Sequence, residues 1–402
     1  MYNAVGIDVS KGKSTVAVLQ PGGTVVRKPF DVKHSASDLK ALVDFISSLD
    51  GDTRAVLECT GRYHEPMVRA LSAAGIFVSA VNPHLIRNFG NNTIRKVKSA
   101  PADSKKIARY TLDNWASLRQ YSGMDTTREQ LKTLNAQMDF FTKQKVAVQT
   151  NLISLLDMTY PGVNDLFDSP TRPDGSQKWV DYAASFWHVD CVRKIGLAAF
   201  TKRYQAFCKR HSYNFQPAKP KELFDAAKEL VAVFPKEKDY KDLILMGIQQ
   251  LNATAASVEQ IRREMDRLAS TLPEYSTVMA MCGVGPTLGP QLIAEIGDIT
   301  RFTHREALTA FAGVDPGVNQ SGQFSARSNR ASKCDPPRLR KALFLVMDCL
   351  LKTKPVDDPV YQFLDKKRSE GKPYHVYMTA GANKFLRIYY GKVKAYLASQ
   401  AK

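Results

Sequence analysis

Apolar positions open the chain in two short, β-branched runs. Ala4-Val5-Gly6-Ile7-Asp8-Val9 and Ser14-Thr15-Val16-Ala17-Val18-Leu19 flank Ser10-Lys11-Gly12-Lys13, a strand–turn–strand pattern. A third short strand is predicted over residues 24–27. Helical spacing then governs 36–49, a buried strand reads over 54–59, a helix over 63–74, and a strand over 77–81 that Asn82-Pro83 closes. Hairpin strands followed by strands alternating with helices predict an α/β domain with a mixed sheet.

The period then changes. Leu131, Leu134, Met138, Phe141, Val148, Leu152 and Leu155 keep to steps of three and four, broken only at Lys145. A second seam runs through Ile244, Ile248, Leu251, Ala255 and Val258, then less regularly through Ile261, Met265 and Leu268. Both read as coiled-coil helices. They could pair antiparallel within one chain or join two chains; the pattern does not choose. Residues 161–236 have no clean period and read as an inserted helical subdomain. Beyond 272, Met279 to Pro286 followed by Leu292 to Gly297 suggests a helix–hairpin–helix. Its Gly-Val-Gly turn is either a phosphate dock on backbone N–H groups or a plain packing corner. Three segments result: 1–120, 121–271 and 272–402.

Charge narrows the function. The net charge is +18, and residues 301–402 carry 19 Lys+Arg against 8 Asp+Glu. Such a surplus points to a polyanionic partner, because neutralising phosphates releases counterions. Cys59, Cys191, Cys208, Cys282, Cys334 and Cys349 form no C-x-x-C pair, which argues against structural zinc. No signal peptide or membrane span is read, so a cytoplasmic, nucleoid-associated protein with reduced thiols is expected.

Three carboxylates stand out. Asp8 lies between Ile7 and Val9, and Glu58 between Leu57 and Cys59, each inside a strand-like run. A carboxylate so placed must face water, a partner or a metal, since burying it unpaired is costly. Asp103 opens the helical stretch Ser104-Lys105-Lys106-Ile107-Ala108-Arg109-Tyr110. Alone it reads as an N-cap and Glu58 as a structural carboxylate; together, two strand carboxylates and one helical one could converge on a divalent metal.

These residues sit in a longer series: G-I-D-V-S-K at 6–11, L-E-C-T-G-R-Y at 57–63, V-N-P at 81–83 and K-S-A-P-A-D-S-K-K-I-A-R-Y at 98–110. G-V-G-P at 283–286, A-E-I-G-D at 294–298, F-A-G-V-D-P at 311–316, Q-S-G at 320–322, G-K-P-Y at 371–374 and N-K-F-L-R at 383–387 complete it. In this order the pieces resemble the IS-one-ten family of insertion-sequence transposases, also called DEDD transposases. Only 161–236 has no matching piece.

The resemblance implies an RNase-H-like (RuvC-like) N-terminal domain, a coiled-coil linker and a mainly helical C-terminal transposase domain. It implies Mg2+ on an Asp–Glu–Asp–Asp tetrad, a serine nucleophile, donor and target DNA, and a structured noncoding guide RNA (bridge RNA). A homo-oligomer, dimer or tetramer, is expected. Asp8, Glu58 and Asp103 match the first, second and fourth tetrad positions; Ala100 occupies the third, where aspartate is expected. The chain therefore reads as an inactivated form, with natural drift to alanine as the alternative. Cys334 and Asp335 also depart from the Lys-Arg-Gly run more usual there.

Ser321, in a loop between apolar segments, becomes the candidate nucleophile through the resemblance alone; otherwise it is a turn serine beside glycine. Arg327, Arg330, Lys333, Arg338, Arg340 and Lys341 follow it, with Lys384 and Arg387 further on, as candidate nucleic-acid contacts. Three other readings compete. A RuvC-type structure-selective nuclease needs no serine, an actin-like kinase or ATPase lacks a later adenosine motif, and a catalytically silent nucleic-acid-binding protein stays open through Ala100.

Overall fold

The computed structural model describes residues 1–59, 61–89, 99–121, 123–315, 317, 320–321, 324–325, 331 and 336–400. Two compact units divide the chain, Met1–Gly123 and Met124–Lys402.

In the first unit, strands β1 (Tyr2–Ser10), β2 (Lys13–Gln20) and β3 (Thr24–Lys33) form an antiparallel meander. Helix α1 (Ala36–Ser47) then leads to β4 (Asp52–Glu58), which lies parallel to β1. Helix α2 (Glu65–Ala73) crosses to β5 (Phe77–Val81), parallel to β4, before α3 (Pro83–Phe89) and α4 (Ala100–Asp113). The sheet order is β3-β2-β1-β4-β5. This mixed order, with a three-strand meander and two parallel additions beyond β1, is an RNase-H-like sheet.

β3 runs to Lys33, six residues beyond the predicted end at 27. Pro29 falls in an irregular stretch, where the register steps from Val16–Phe30 to Val18–Arg27. On an edge strand a missing N–H costs no ladder partner, so the strand continues past it. The predicted helix 63–74 is shorter, because Tyr63 and His64 precede it as turn residues.

Alternation assigns the sheet's two faces. Val5, Ile7, Val16, Val18, Ala55, Leu57 and Val78 pack with Leu42 and Ile46 of α1 and Met67, Val68 and Leu71 of α2. On the other face Val56 and Val81 pack with Ile86 and with Ile107 of α4.

The second unit begins with α5 (Thr126–Asp157), whose N-cap Asp125 accepts from the Arg128 backbone N–H. Helices α6 (Lys178–Ser185), α7 (Asp190–Arg193), α8 (Leu197–Arg210) and α9 (Lys219–Glu229) follow, then α10 (Lys238–Ala269). α5 and α10, each 32 residues long, pair antiparallel within this chain. Leu131 shares a core with Met265 and Ala269, while Leu152 and Leu156 share one with Ile244 and Ile248. The helices of 161–236 gather around Tyr160, Trp179, Tyr182, Phe200, Tyr204 and Phe207.

The C-terminal part comprises α11 (Tyr275–Met279), α12 (Leu288–Ile296), α13 (Arg305–Phe311), the two-residue strands β6 (Gln320–Ser321) and β7 (Phe324–Ser325), α14 (Pro337–Thr353), α15 (Pro359–Ser369) and α16 (Tyr374–Gln400). Asn135 of α5 donates to buried Glu295 of α12 at 2.6 Å. Arg128 pairs with Asp125 at 2.6 Å and with buried Glu274.

Candidate active site

β1 and β4 bring the first two carboxylates side by side. Their parallel register ends at Ile7–Leu57, so Asp8 and Glu58 occupy the next step at the carboxyl ends of neighbouring strands. Adjacent strands lie about 4.8 Å apart. Gly6 and Asp8, like Val56 and Glu58, belong to the face that α4 covers.

α4 brings the third. A Cβ added to Gly6 would lie 2.2 Å from both Ala108 N and Ser104 O. Only glycine lets the α4 backbone rest directly on β1, and that contact sets Asp103 near the strand ends. Sequence reading passed over Gly6 as one letter of a motif; its signal is a lone glycine in the middle of an apolar strand.

The electrostatics record the convergence. Burial, then the charge of Asp103, push the Asp8 carboxyl above the usual carboxylate range. Burial raises Glu58 too, with Asp8 and Asp103 adding repulsion and Lys106 of α4 opposing it. All three carboxylates are half-buried. Such a cluster concentrates negative charge, an environment a divalent cation would relieve.

Ala100 is the first residue of α4, with Pro101 behind it and Ser99 as N-cap. Proline disfavours helix at the preceding residue, but at a helix's first turn it is tolerated, so position 100 enters the helix. Asp103 is consequently not the N-cap; it lies inside the first turn. Position 100 stands one turn before Asp103 on that helix. Among the described residues no three His, Cys, Asp or Glu side chains stand together as a metal-holding group. Asp8, Glu58 and Asp103 fit a cation by charge, but their side chains are not gathered into a coordinating group, and position 100 contributes only a methyl group.

The C-terminal candidates are spread more widely. Ser321 ends β6 and pairs with Phe324 of β7. Arg327, Arg330 and Lys333 lie outside the described residues, as do Cys334 and Asp335. Lys341 pairs with Asp139 of α5 at 2.9 Å, and Arg338 stands 3.9 Å from the same carboxylate, which also takes Lys143 at 2.8 Å. Those cations hold Asp139 below the usual carboxylate range. Arg340 also has a partner. Arg387 stands 3.7 Å from Glu306, and Lys384 lies 6.0 Å from the Phe363 ring centroid. Part of the predicted positive surface is therefore answered within the protein.

The Gly-Val-Gly turn resolves toward packing at Gly283. Its φ is +77°, and a Cβ there would meet Val346 and Leu350 of α14 at 3.0 Å.

Sequence comparisons establish kinship. A DEDD-type IS110 transposase profile matches residues 5–161, and the profile "Transposase IS116/IS110/IS902 family" matches 275–362. The IS117 mini-circle transposase candidate of Streptomyces coelicolor is 25% identical over 378 residues, spanning 91% of this chain and 87% of that protein. The 44.8 kDa IS116 insertion-element protein of Streptomyces clavuligerus is 22% identical over 372 residues, spanning 91% and 88%. A Thermus thermophilus RuvC, in complex with Holliday junction substrate, aligns to 29% of this chain and 96% of its own, at 12% identity and a TM-score of 0.24. No described helix is long and apolar enough to cross a membrane. With both profiles in chain order and relatives matched along nine-tenths of its length, the chain belongs to the IS116/IS110/IS902 family of transposases.

Proposed function

We propose that this transposase is an RNA-guided DNA recombinase whose N-terminal carboxylate site and Ser321 cut and rejoin strands of donor and target DNA. The observation that carries the reading is the approach of Asp8, Glu58 and Asp103 to one another: the charge of Asp103 raises the Asp8 carboxyl, and the charges of Asp8 and Asp103 raise Glu58. In this reading Asp8, Glu58 and Asp103 hold Mg2+, with the missing fourth carboxylate belonging at position 100. The metal, when bound, lowers the pKa of an attacking hydroxyl and stabilises charge on phosphodiester oxygens. Lys106 restrains the negative charge of Glu58. The hydroxyl oxygen of Ser321 bonds to the scissile phosphorus as the bond to the 3′ or 5′ oxygen breaks, the serine proton passing to that leaving oxygen, and the hydroxyl of a second strand later displaces the serine from the phosphoserine link.

Three domains correspond to this division of labour: 1–120 for metal chemistry, 121–271 for the paired helices and the insert, and 272–402 for the serine and nucleic-acid contacts. Arg327, Arg330, Lys333, Arg338, Arg340, Lys341, Lys384 and Arg387 are assigned to phosphates of DNA or guide RNA. Arg338 and Lys341 would exchange Asp139 for phosphate. A homo-oligomer would supply one active site to each strand.

One observation favours a second reading. Ala100 leaves the set short of a ligand, and a chain that binds nucleic acid without cutting it fits that deficit. Both readings meet in one experiment: the chain as given and its Ala100→Asp variant are compared for strand cleavage in Mg2+, with copurified RNA retained. The recombinase reading expects a gain of orders of magnitude and a boiling-resistant protein–DNA adduct that Ser321→Ala abolishes. No cleavage by either protein supports the silent binder, and an adduct that survives Ser321→Ala removes the serine from the chemistry.

A further inference from the structure

The insert contains a helix that differs in charge from its neighbours. α8 carries Lys202, Arg203, Lys209 and Arg210 and no acidic residue. At about 100° per residue, these four fall within an arc of about 120° that also includes Ala199 and Ala206. All six are exposed. The opposite side carries Phe200, Tyr204, Phe207 and Cys208, each no more than 4% exposed in the core of the insert. The apolar face of α8 is thus already used, and the cationic strip faces solvent.

Cations on the long helices of the same unit are handled differently. Arg262 pairs with Glu259 at 2.8 Å and Arg267 with Glu264 at 2.6 Å, each three residues earlier, and Lys143 pairs with Asp139. Among the described residues, no ion pair or side-chain hydrogen bond engages the four cations of α8. Lys209 and Arg210 complement the negative end of the helix dipole. Lys202 and Arg203 lie too far from that end for the dipole to account for them. Like charges on one face without acids cost the folded state free energy unless an anion answers them.

The strip has the dimensions of a backbone contact. Lys202 to Lys209 and Arg203 to Arg210 are each seven residues apart, about 10.5 Å along the axis. The alanines between them leave no bulky side chain in the way. Positive charge continues past the helix end. Arg172 donates to the carbonyls of His211 at 3.0 Å and Ser212 at 3.3 Å, and its guanidinium lies 3.9 Å from the Tyr213 ring centroid. Burial, opposed by Cys208 and reinforced by Lys219 and Arg172, holds the Lys178 ammonium below the usual lysine range.

We infer that the exposed strip of α8 docks the phosphodiester backbone of a double-stranded nucleic acid by charge. The inference builds on the recombinase reading by giving the insert between the two profile matches a nucleic-acid partner. An anionic membrane is the poorer fit, because interfacial helices bury their apolar face in lipid, and here that face is in the protein core.

The test uses the full-length protein with Lys202, Arg203, Lys209 and Arg210 all changed to alanine. Alanine at exposed helical positions favours the fold, and circular dichroism and thermal melting confirm it. A control removes the same charge nearby, through Lys221→Ala, Lys236→Ala, Lys238→Ala and Lys241→Ala. Fluorescence anisotropy follows binding to a short duplex DNA and to an RNA hairpin of equal length between about 50 and 200 mM salt. The slope of log affinity against log salt should fall by about three in the α8 variant, for DNA, for RNA or for both. The control should move by less than about one. A fall with only one of the two ligands identifies the source of the phosphates. An unchanged slope with both ligands overturns the inference, as does an equal fall in the control, or a loss confined to vesicles of anionic phospholipid. Asp8-dependent cleavage in the Ala100→Asp protein tests the recombinase reading separately. An unchanged slope with that cleavage intact rejects the α8 surface alone.

Discussion

Gly6→Ala tests how the site is assembled without touching a carboxylate. The added Cβ would lie 2.2 Å from Ser104 O and Ala108 N and 2.8 Å from Ala108 Cα, all backbone atoms of α4. Ordinary contact begins near 3.4 Å, so α4 must retreat by roughly 1 Å or β1 must bend. Overpacking of this kind costs about 1–3 kcal/mol, offset in small part by the lower entropy of an unfolded alanine. For the N-terminal unit this corresponds to a Tm loss of roughly 3–15 °C. Catalysis should suffer more than stability, because a 1 Å misplacement of a reacting group can cost ~100-fold. The assay is strand cleavage in Mg2+ in the Ala100→Asp background, beside thermal melting. Ala108→Gly should not rescue the variant, because the obstructing atoms at that position are backbone N and Cα. Wild-type melting and cleavage in Gly6→Ala would refute the argument that this contact places Asp103.

Two further outcomes follow from charge. Asp8 and Glu58 titrate above the ordinary carboxylate range, so the folded state holds protons the unfolded state has released, and stability falls as pH rises through that window. Asp8→Asn or Glu58→Gln should therefore raise the Tm of the metal-free protein at pH 7, with the advantage gone near pH 4; a lower Tm at both pH values would contradict this. Arg128→Ala should strand Glu274, which is 2% exposed. Breaking such a pair costs about 3–5 kcal/mol, or roughly 6–20 °C in the C-terminal unit, and a Tm within ~2 °C of the parent would rule out a structural role.

Much of this was legible in sequence because each signal was local. The runs around Asp8 and Glu58 could satisfy only a doubly covered sheet, and the 3–4 spacing of Leu131 to Leu155 only a long helix. Partner choice is not local: that α5 pairs with α10 of the same chain depends on Leu152 meeting Ile244 and Ile248 across the insert. β3 runs past its predicted end at residue 27 because an edge strand absorbs Pro29. The basic tail was counted residue by residue, yet Asp139, far away in sequence, takes up Lys341 and approaches Arg338. The charge of α8 was visible, but its exposure on one face required the packing of Phe200, Tyr204 and Phe207.

The two faces of the N-terminal sheet account for where the chemistry can be. α1 and α2 seal one face with a continuous apolar layer that includes Ile7 and Leu57. The other is covered by a smaller cluster of Val56, Val81, Ile86 and Ile107 of α4. Asp8 and Glu58 are one residue beyond Ile7 and Leu57, and alternation turns them onto this second face. Shifting either by one position would bury a carboxylate in the sealed layer at a cost of several kcal/mol. The register that makes the core therefore also places both acids on the α4 face, near the carboxyl ends of β1 and β4. α4 then adds Asp103 through the glycine contact; its charge raises the proton affinity of Asp8 and, together with that of Asp8, the proton affinity of Glu58. That mutual repulsion is a cost to folding which a bound cation would remove, so fold stability and metal affinity are linked through the same three side chains. Position 100 enters this balance directly. A fourth carboxylate would increase the repulsion in the empty site and the attraction in the filled one. Ala100→Asp should accordingly melt lower than the chain as given in chelator and higher in Mg2+.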